Sequence, residues 1–163
     1  MEIRQTLIDI SNDARGWLNA WSGDFTEDEA MRTSIDRPGP NPLAWQLGHL
    51  AGVEDDVHQL FSGHASLLPP EMKATCATGS PPPTGSTRFP SLAELREHLV
   101  RTHAGLLSPV NQADTSQLDQ PPLVENKYFR TLGQAIYEVA LHENYHVGEI
   151  ACLRKLLGKS RIG

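Results

Sequence analysis

Leu141-His142-Glu143-Asn144-Tyr145-His146-Val147-Gly148-Glu149 is the stretch on which the reading of this chain turns. Around it Leu132, Ile136, Val139, Ile150, Leu153 and Leu157 recur at helical spacing, which predicts one long helix from Thr131 to Leu157. Four residues turn a helix by about 400°, so the imidazoles of His142 and His146 project almost the same way. On the helical wheel His146 falls inside the apolar arc and His142 at its edge, so both face a helix interface. One inward histidine reads most simply as a packed, hydrogen-bonded core residue. Two at ligand spacing, with Glu149 beside them, point to a divalent metal, for which neutral imidazole is the commonest ligand.

Working back along the chain, three more helices emerge. The first runs from Glu2 to Trp21, with Ile3, Leu7, Ile10, Ala14, Trp17, Leu18 and Trp21 as its apolar stripe. A polar segment from Phe25 to Pro40 follows, ending in the rigid approach Asp36-Arg37-Pro38-Gly39-Pro40. The second helix is expected to start with Asn41 as cap and Pro42 at the first helical position, and to close at Gly63. Leu43, Leu47, Leu50, Val57 and Phe61 form its stripe, with His49 beside it. Ser91 and Glu94 make a capping box for the third helix, whose stripe is Leu92, Leu95, Leu99, Thr102 and Leu106, and Ser108-Pro109 is expected to stop it. Thr131 and Gln134 offer a second capping box, and Gly158 suits the C-terminal left-handed position of the last helix.

Between these lie two connections. His64 to Pro90 is the longer, and its proline clusters rule out helix through most of it. Extended chain covers about 3.3 Å per residue, so this loop can run the length of a bundle and join two parallel helices. Asn111 to Tyr128 is polar, with room for one short turn of helix. No sustained alternation predicts a strand. The expected fold is all-α, a four-helix bundle in a single domain spanning residues 1–163.

Composition narrows the function. Twenty acidic against fourteen basic residues, a net charge of −6, argue against a nucleic-acid surface. No apolar run suits a membrane span. The start of the chain shows no basic leader, and Cys76 and Cys152 make no disulfide framework, so a cytoplasmic protein is expected. Trp17 and Trp21 give the first helix more aromatic surface than a small bundle needs, which predicts a homodimer.

His142-Glu143-x-x-His146 also matches the zinc-peptidase pattern, in which the glutamate is the general base. The metzincin extension would have a glycine and a histidine where this chain has Glu149 and Cys152, and no strand is expected to bind an extended peptide. A third metal ligand must come from another helix. His49, His58, His64, His98 and His103 are the candidates, and His103, bordering the third stripe, rivals His49. Glu143 lies among apolar residues and calls for an Arg or His partner, while Asp56 is placed either to hold His49 or to meet solvent.

Asn41-Pro42-Leu43-Ala44-Trp45-Gln46-Leu47-Gly48-His49-Leu50-Ala51, followed at a distance by Leu141 to Ile150, resembles the DinB-like family of metal-binding proteins. That family includes YfiT-type metal hydrolases and bacillithiol- and mycothiol-dependent S-transferases. The resemblance covers nearly the whole chain and implies a four-helix bundle whose second and third helices run parallel. It also implies that His49, His142 and His146 are the metal ligands. Many relatives carry Gln where this chain has Glu149, which is therefore the candidate catalytic or ligand-orienting carboxylate. Three histidines leave an open position on the metal, the mark of a catalytic site, and hold zinc, nickel, iron or manganese without choosing among them. A metal there brings the pKa of a thiol or water towards neutrality. The implied activity is transfer of a low-molecular-weight thiol to a small-molecule electrophile. Hydrolysis by activated water, or a non-catalytic, damage-inducible metal-binding role, is the alternative.

Overall fold

The computed structural model describes residues 2–32, 39–160 and 162. Among the described residues six α-helices follow one another: α1 (Ile3–Ser22), α2 (Glu27–Met31), α3 (Leu43–Ser62), α4 (Pro70–Thr75), α5 (Leu92–Gln112) and α6 (Leu132–Leu156). A 3-10 turn, Thr115–Asp119, precedes α6. No strand occurs among the described residues. Most of the expected approach to the second helix, through Pro38, lies outside them.

The four long helices form the bundle. Gly48 lies against Leu95, Glu54 bonds Thr102, and His58 bonds the Gly105 carbonyl. The two numbers of each pair rise together, so α3 and α5 run parallel. Gly133 packs on Leu7, Glu143 on Arg15 and Arg154 on the Trp21 carbonyl, so α1 and α6 are parallel as well. Across the pairs, Gln46 meets His146 and His49 meets His142, the antiparallel sense. The resulting up-down-down-up order requires the chain between α3 and α5 to travel the whole bundle, which is the task of the long Pro-rich connection.

That connection is more structured than its prolines suggest. Pro70 opens α4, where its missing N–H has no helical partner to lose. Fully buried Asp55 fastens the incoming chain by accepting from the Leu67 N–H, the Ser66 hydroxyl and Lys73 Nζ. The segment after α1 also holds an unexpected short helix, α2, opened by a Thr26–Glu29 capping box.

Two expected boundaries shift, and one expected capping box stays open. Asn41 makes no side-chain cap. Pro42 is the capping residue, α3 begins at Leu43, and the Asn41 carbonyl accepts from Gln46 Nε2 at 2.8 Å. At the start of α6, Thr131 accepts from Gln134 N–H, but Gln134 reaches the Arg130 N–H and no reciprocal box closes. Pro109 does not stop α5, which continues to Gln112. A proline in a helix leaves the carbonyl four residues back without its donor. Here that carbonyl belongs to Gly105, and His58 Nδ1 of α3 donates to it at 3.1 Å. Gly105 allows the approach, because a Cβ there would stand 2.6 Å from Leu67 Cδ1 and 3.3 Å from the His58 ring.

The core is divided by a polar layer. One apolar cluster gathers Leu18, Leu47, Leu95 and Ile150, and the other Leu7, Val57, Leu106 and Ile136. Between them Arg15 donates to Glu143 Oε1 at 2.6 Å, to Glu54 Oε1 at 2.7 Å and to the Leu99 carbonyl at 2.8 Å. Thr102 and His103 complete the Glu54 carboxylate at 2.7 and 3.0 Å. Burial works against the Arg15 charge, but the two flanking carboxylates outweigh it and raise its pKa. Burial raises the pKa of Glu143, with Arg15 opposing. Arg15 thus takes the inward place expected of Trp17, which is 56% exposed. Hydrophobicity alone selects tryptophan over arginine, and only the pairing of Arg15 with two acids reverses that choice.

Removing one member of such a group leaves the others charged and buried, at a cost of about 3–5 kcal/mol. Arg15→Ala is therefore expected to lower stability by about that amount in urea unfolding. A loss below about 1 kcal/mol would show that the bundle does not depend on this layer.

Candidate metal centre

His49 of α3 and His142 and His146 of α6 converge where the two antiparallel helices face each other. His142 Nε2 lies 3.3 Å from His49 Nε2 and 3.2 Å from His146 Nε2. His49 and His146 are buried, and His142 is half-buried.

The neighbours of each ring decide its tautomer. His49 Nδ1 lies 2.9 Å from the Cys76 carbonyl, which can only accept, so the proton sits on Nδ1 and Nε2 carries a lone pair. His146 Nδ1 lies 2.9 Å from Glu149 Oε2 and 3.2 Å from Gln46 Oε1, with the same consequence. His142 Nδ1 is buried without a partner. Two lone pairs thus face a third imidazole, which can satisfy one of them through a proton but never both. A divalent ion satisfies all three. Zinc–nitrogen bonds of about 2.0–2.1 Å in a tetrahedron give nitrogen separations of about 3.3–3.4 Å, close to those found. Burial, helped by the neighbouring imidazoles, lowers the pKa of His142 to about 4 and of His146 to about 3, and burial also lowers that of His49. The rings are therefore neutral near pH 7 and available as ligands. The group could hold a metal ion.

The packing around the rings is specific. The Trp45 ring stacks on His49 with centroids 4.7 Å apart and planes within 12°. Tyr145 meets His146 edge-on, and its hydroxyl reaches Glu149 at 3.3 Å. Gly48 earns its place in the motif by close approach. A Cβ there would stand 2.5 Å from Cys76 Sγ, so only glycine lets the end of α4 close in and deliver the Cys76 carbonyl to His49. Cys76 as the holder of His49 is invisible in the sequence, because the contact is made by a backbone atom across the crossover. Asp56, read as either a holder of His49 or a solvent-facing group, is exposed and paired with Lys73 at 2.6 Å.

The remaining histidines stand apart from the cluster, with His64 exposed and edge-on to His58 at 5.6 Å between ring centroids. His103 is taken at both nitrogens, by Glu54 and by Asn12. His98 pairs with Arg101, and His58 is spent on Gly105. Glu143, 1% exposed and held by Arg15, turns away from the histidine cluster and cannot serve there as a peptidase base.

Comparison with known proteins identifies the family. The model of the DinB superfamily matches residues 11–150, a span that contains all three histidines. The chain belongs to the DinB superfamily. A crystal structure of a conserved protein from Enterococcus faecalis shares the fold, with a TM-score of 0.71 at 17% identity over 98% of this chain and 99% of that one. No curated protein matches the chain in sequence.

Holding a metal-binding histidine through its far nitrogen is worth about 10–100-fold in metal affinity. Gly48→Ala displaces Cys76 and is expected to weaken zinc binding by about that factor, read by competition with a chromophoric chelator. Unchanged affinity in a folded variant would show that the Cys76 carbonyl does not position His49.

Proposed function

We propose that this chain, one domain over residues 1–163, is a metal-dependent enzyme whose ligands are His49, His142 and His146, and that it transfers a thiol to a small electrophile. The observation that carries this reading is the convergence of three Nε2 atoms whose opposite ring nitrogens are already held at His49 and His146. Three protein ligands leave a position for a reactant. Zinc and nickel suit the imidazole set best, with iron or manganese as further candidates. A divalent ion there supplies Lewis acidity, lowering the pKa of a thiol or water beside it.

The chain's own groups do the rest. Trp45 and Cys76 fix the plane and tautomer of His49, while Glu149 and Gln46 do so for His146. In the transfer a sulfur–carbon bond forms, the leaving group departs with its electron pair, and the thiol proton goes to solvent. Glu149 is read as a positioning residue, because Oε2 is already committed to His146. The second reading, hydrolysis with water as nucleophile, uses the same ligands.

Purified protein is expected to carry about one zinc or nickel ion per chain. Added metal should raise the melting temperature of the parent and leave that of His142→Ala unchanged, since a ligand stabilises only the state that binds it. Equal shifts in both would place the metal elsewhere. A panel of thiols and electrophiles, run beside esters and amides, separates transferase from hydrolase.

Glu149→Gln keeps an acceptor for His146 but removes the charge. It is expected to retain metal and to change rate by less than about tenfold. A metal-replete variant slowed by about 10²–10⁴ would make Glu149 a general base instead.

We also read the protein as a cytoplasmic homodimer. Tyr137, Leu141 and Tyr145 leave an exposed apolar stripe along α6, and Trp17 lies open on neighbouring α1. Sedimentation at micromolar concentration should give about twice the 17.9 kDa chain mass. A single species at the chain mass would reject the dimer.

A further inference from the structure

The histidine cluster is open on two sides. One is a groove of about 1060 Å³ between α3, α4, the segment 124–129 and α6. Its walls are largely apolar, with Val53, Leu60, Phe129 and Val139 prominent. The other is a pocket of about 370 Å³ beneath the crossover residues 78–83. That pocket has a larger polar share than the groove: Asn41, Thr78, Ser80, Tyr145 and Glu149 bring hydroxyl, amide and carboxylate groups, and Trp45, Pro82 and Pro83 supply about as much apolar surface. The Trp45 indole N–H donates to Ser80 Oγ at 3.2 Å, and Pro82 and Pro83 stiffen the chain beyond, so its outer wall is fixed. His49, His142 and Thr78 line both cavities and form the partition between them.

We infer that the two cavities bind two different molecules at once: a small polar reactant under the crossover and a larger, mostly apolar one in the groove. This deepens the proposed function and rests on the histidine cluster being its reacting centre. Size and chemistry carry the argument. A water molecule occupies about 30 Å³, so a pocket of 370 Å³ is far larger than a hydrolytic water needs. It falls at the small end of the range of about 300–1,000 Å³ for ligand pockets, and the groove at the large end. A ligand in either cavity reaches His49 and His142 without crossing the other, which is the geometry of a ternary complex.

Two substitutions separate the cavities. Gly52 lines only the groove, and a Cβ there meets nothing within 4 Å, so Gly52→Trp fills the groove from a helix position that tolerates a side chain. Ser80→Phe fills the small pocket. The groove is probed with the neutral dye N-phenyl-1-naphthylamine, by fluorescence of the zinc-loaded protein. The small pocket is probed with 2-mercaptoethanol, by the absorption spectrum of the cobalt-loaded protein. Metal content is measured in every variant.

Gly52→Trp should weaken the dye at least tenfold and the thiol less than twofold, and Ser80→Phe should do the reverse. The dye should not be displaced from the parent protein by saturating thiol. Competition between the two probes, or a thiol blocked by Gly52→Trp and not by Ser80→Phe, overturns the inference, as does dye binding indifferent to Gly52→Trp. A parent protein that takes up no metal overturns the proposed function itself, an outcome distinct from metal-replete protein in which the two probes compete.

Discussion

One guanidinium holds the bundle in register. Arg15 reaches from α1 to a carboxylate on α6, a carboxylate on α3 and a main-chain carbonyl on α5, so a single side chain touches all three partner helices. An ionic group buried this deeply is weak evidence for net stability, because desolvation consumes most of the attraction. Its stronger effect is on alternatives. Any slip of one helix by a turn strands a charge in apolar surroundings, whereas the apolar clusters above and below would accept many repackings.

This layer also sets the histidine cluster. Glu143 sits between His142 and His146 in sequence but projects from an adjacent side of α6, into the Arg15 cluster. Anchoring Glu143 fixes the rotation of α6 about its axis, and that rotation decides where both histidines point. On the facing helix Glu54 does the same for His49, five residues earlier on α3. The preorganisation of the three histidines therefore begins in a polar layer that adjoins them on α6 and lies more than one helical turn from His49 on α3.

The four long helices were legible because each carries an apolar period and most have a stop or start signal. The crossover was legible from length and proline content. His142 and His146 could be read together because their pairing is local, one turn apart. His49 could not be chosen over His103 by pattern alone, since both border an apolar stripe; the resemblance of the surrounding motif separated them. What the sequence hid is whatever depends on polar groups in the core or on backbone atoms. Arg15 and Glu54 look like surface residues to a hydrophobicity count, and the Cys76 carbonyl has no sequence signature. The short helices α2 and α4 lie in stretches whose composition reads as loop.

The contact between His58 and the Gly105 carbonyl has a consequence for how this chain can change over time. Pro109 leaves a carbonyl of α5 without its helical donor and the imidazole from α3 supplies one, so the three positions are physically coupled although they sit on two helices. The linkage is directional. If Pro109 is replaced first, the carbonyl gains a second donor and has a lone pair for each. If His58 is lost first, the carbonyl is left buried and bare, at the cost of an unmade hydrogen bond. Drift away from this arrangement therefore has one easy order of steps and one that selection resists.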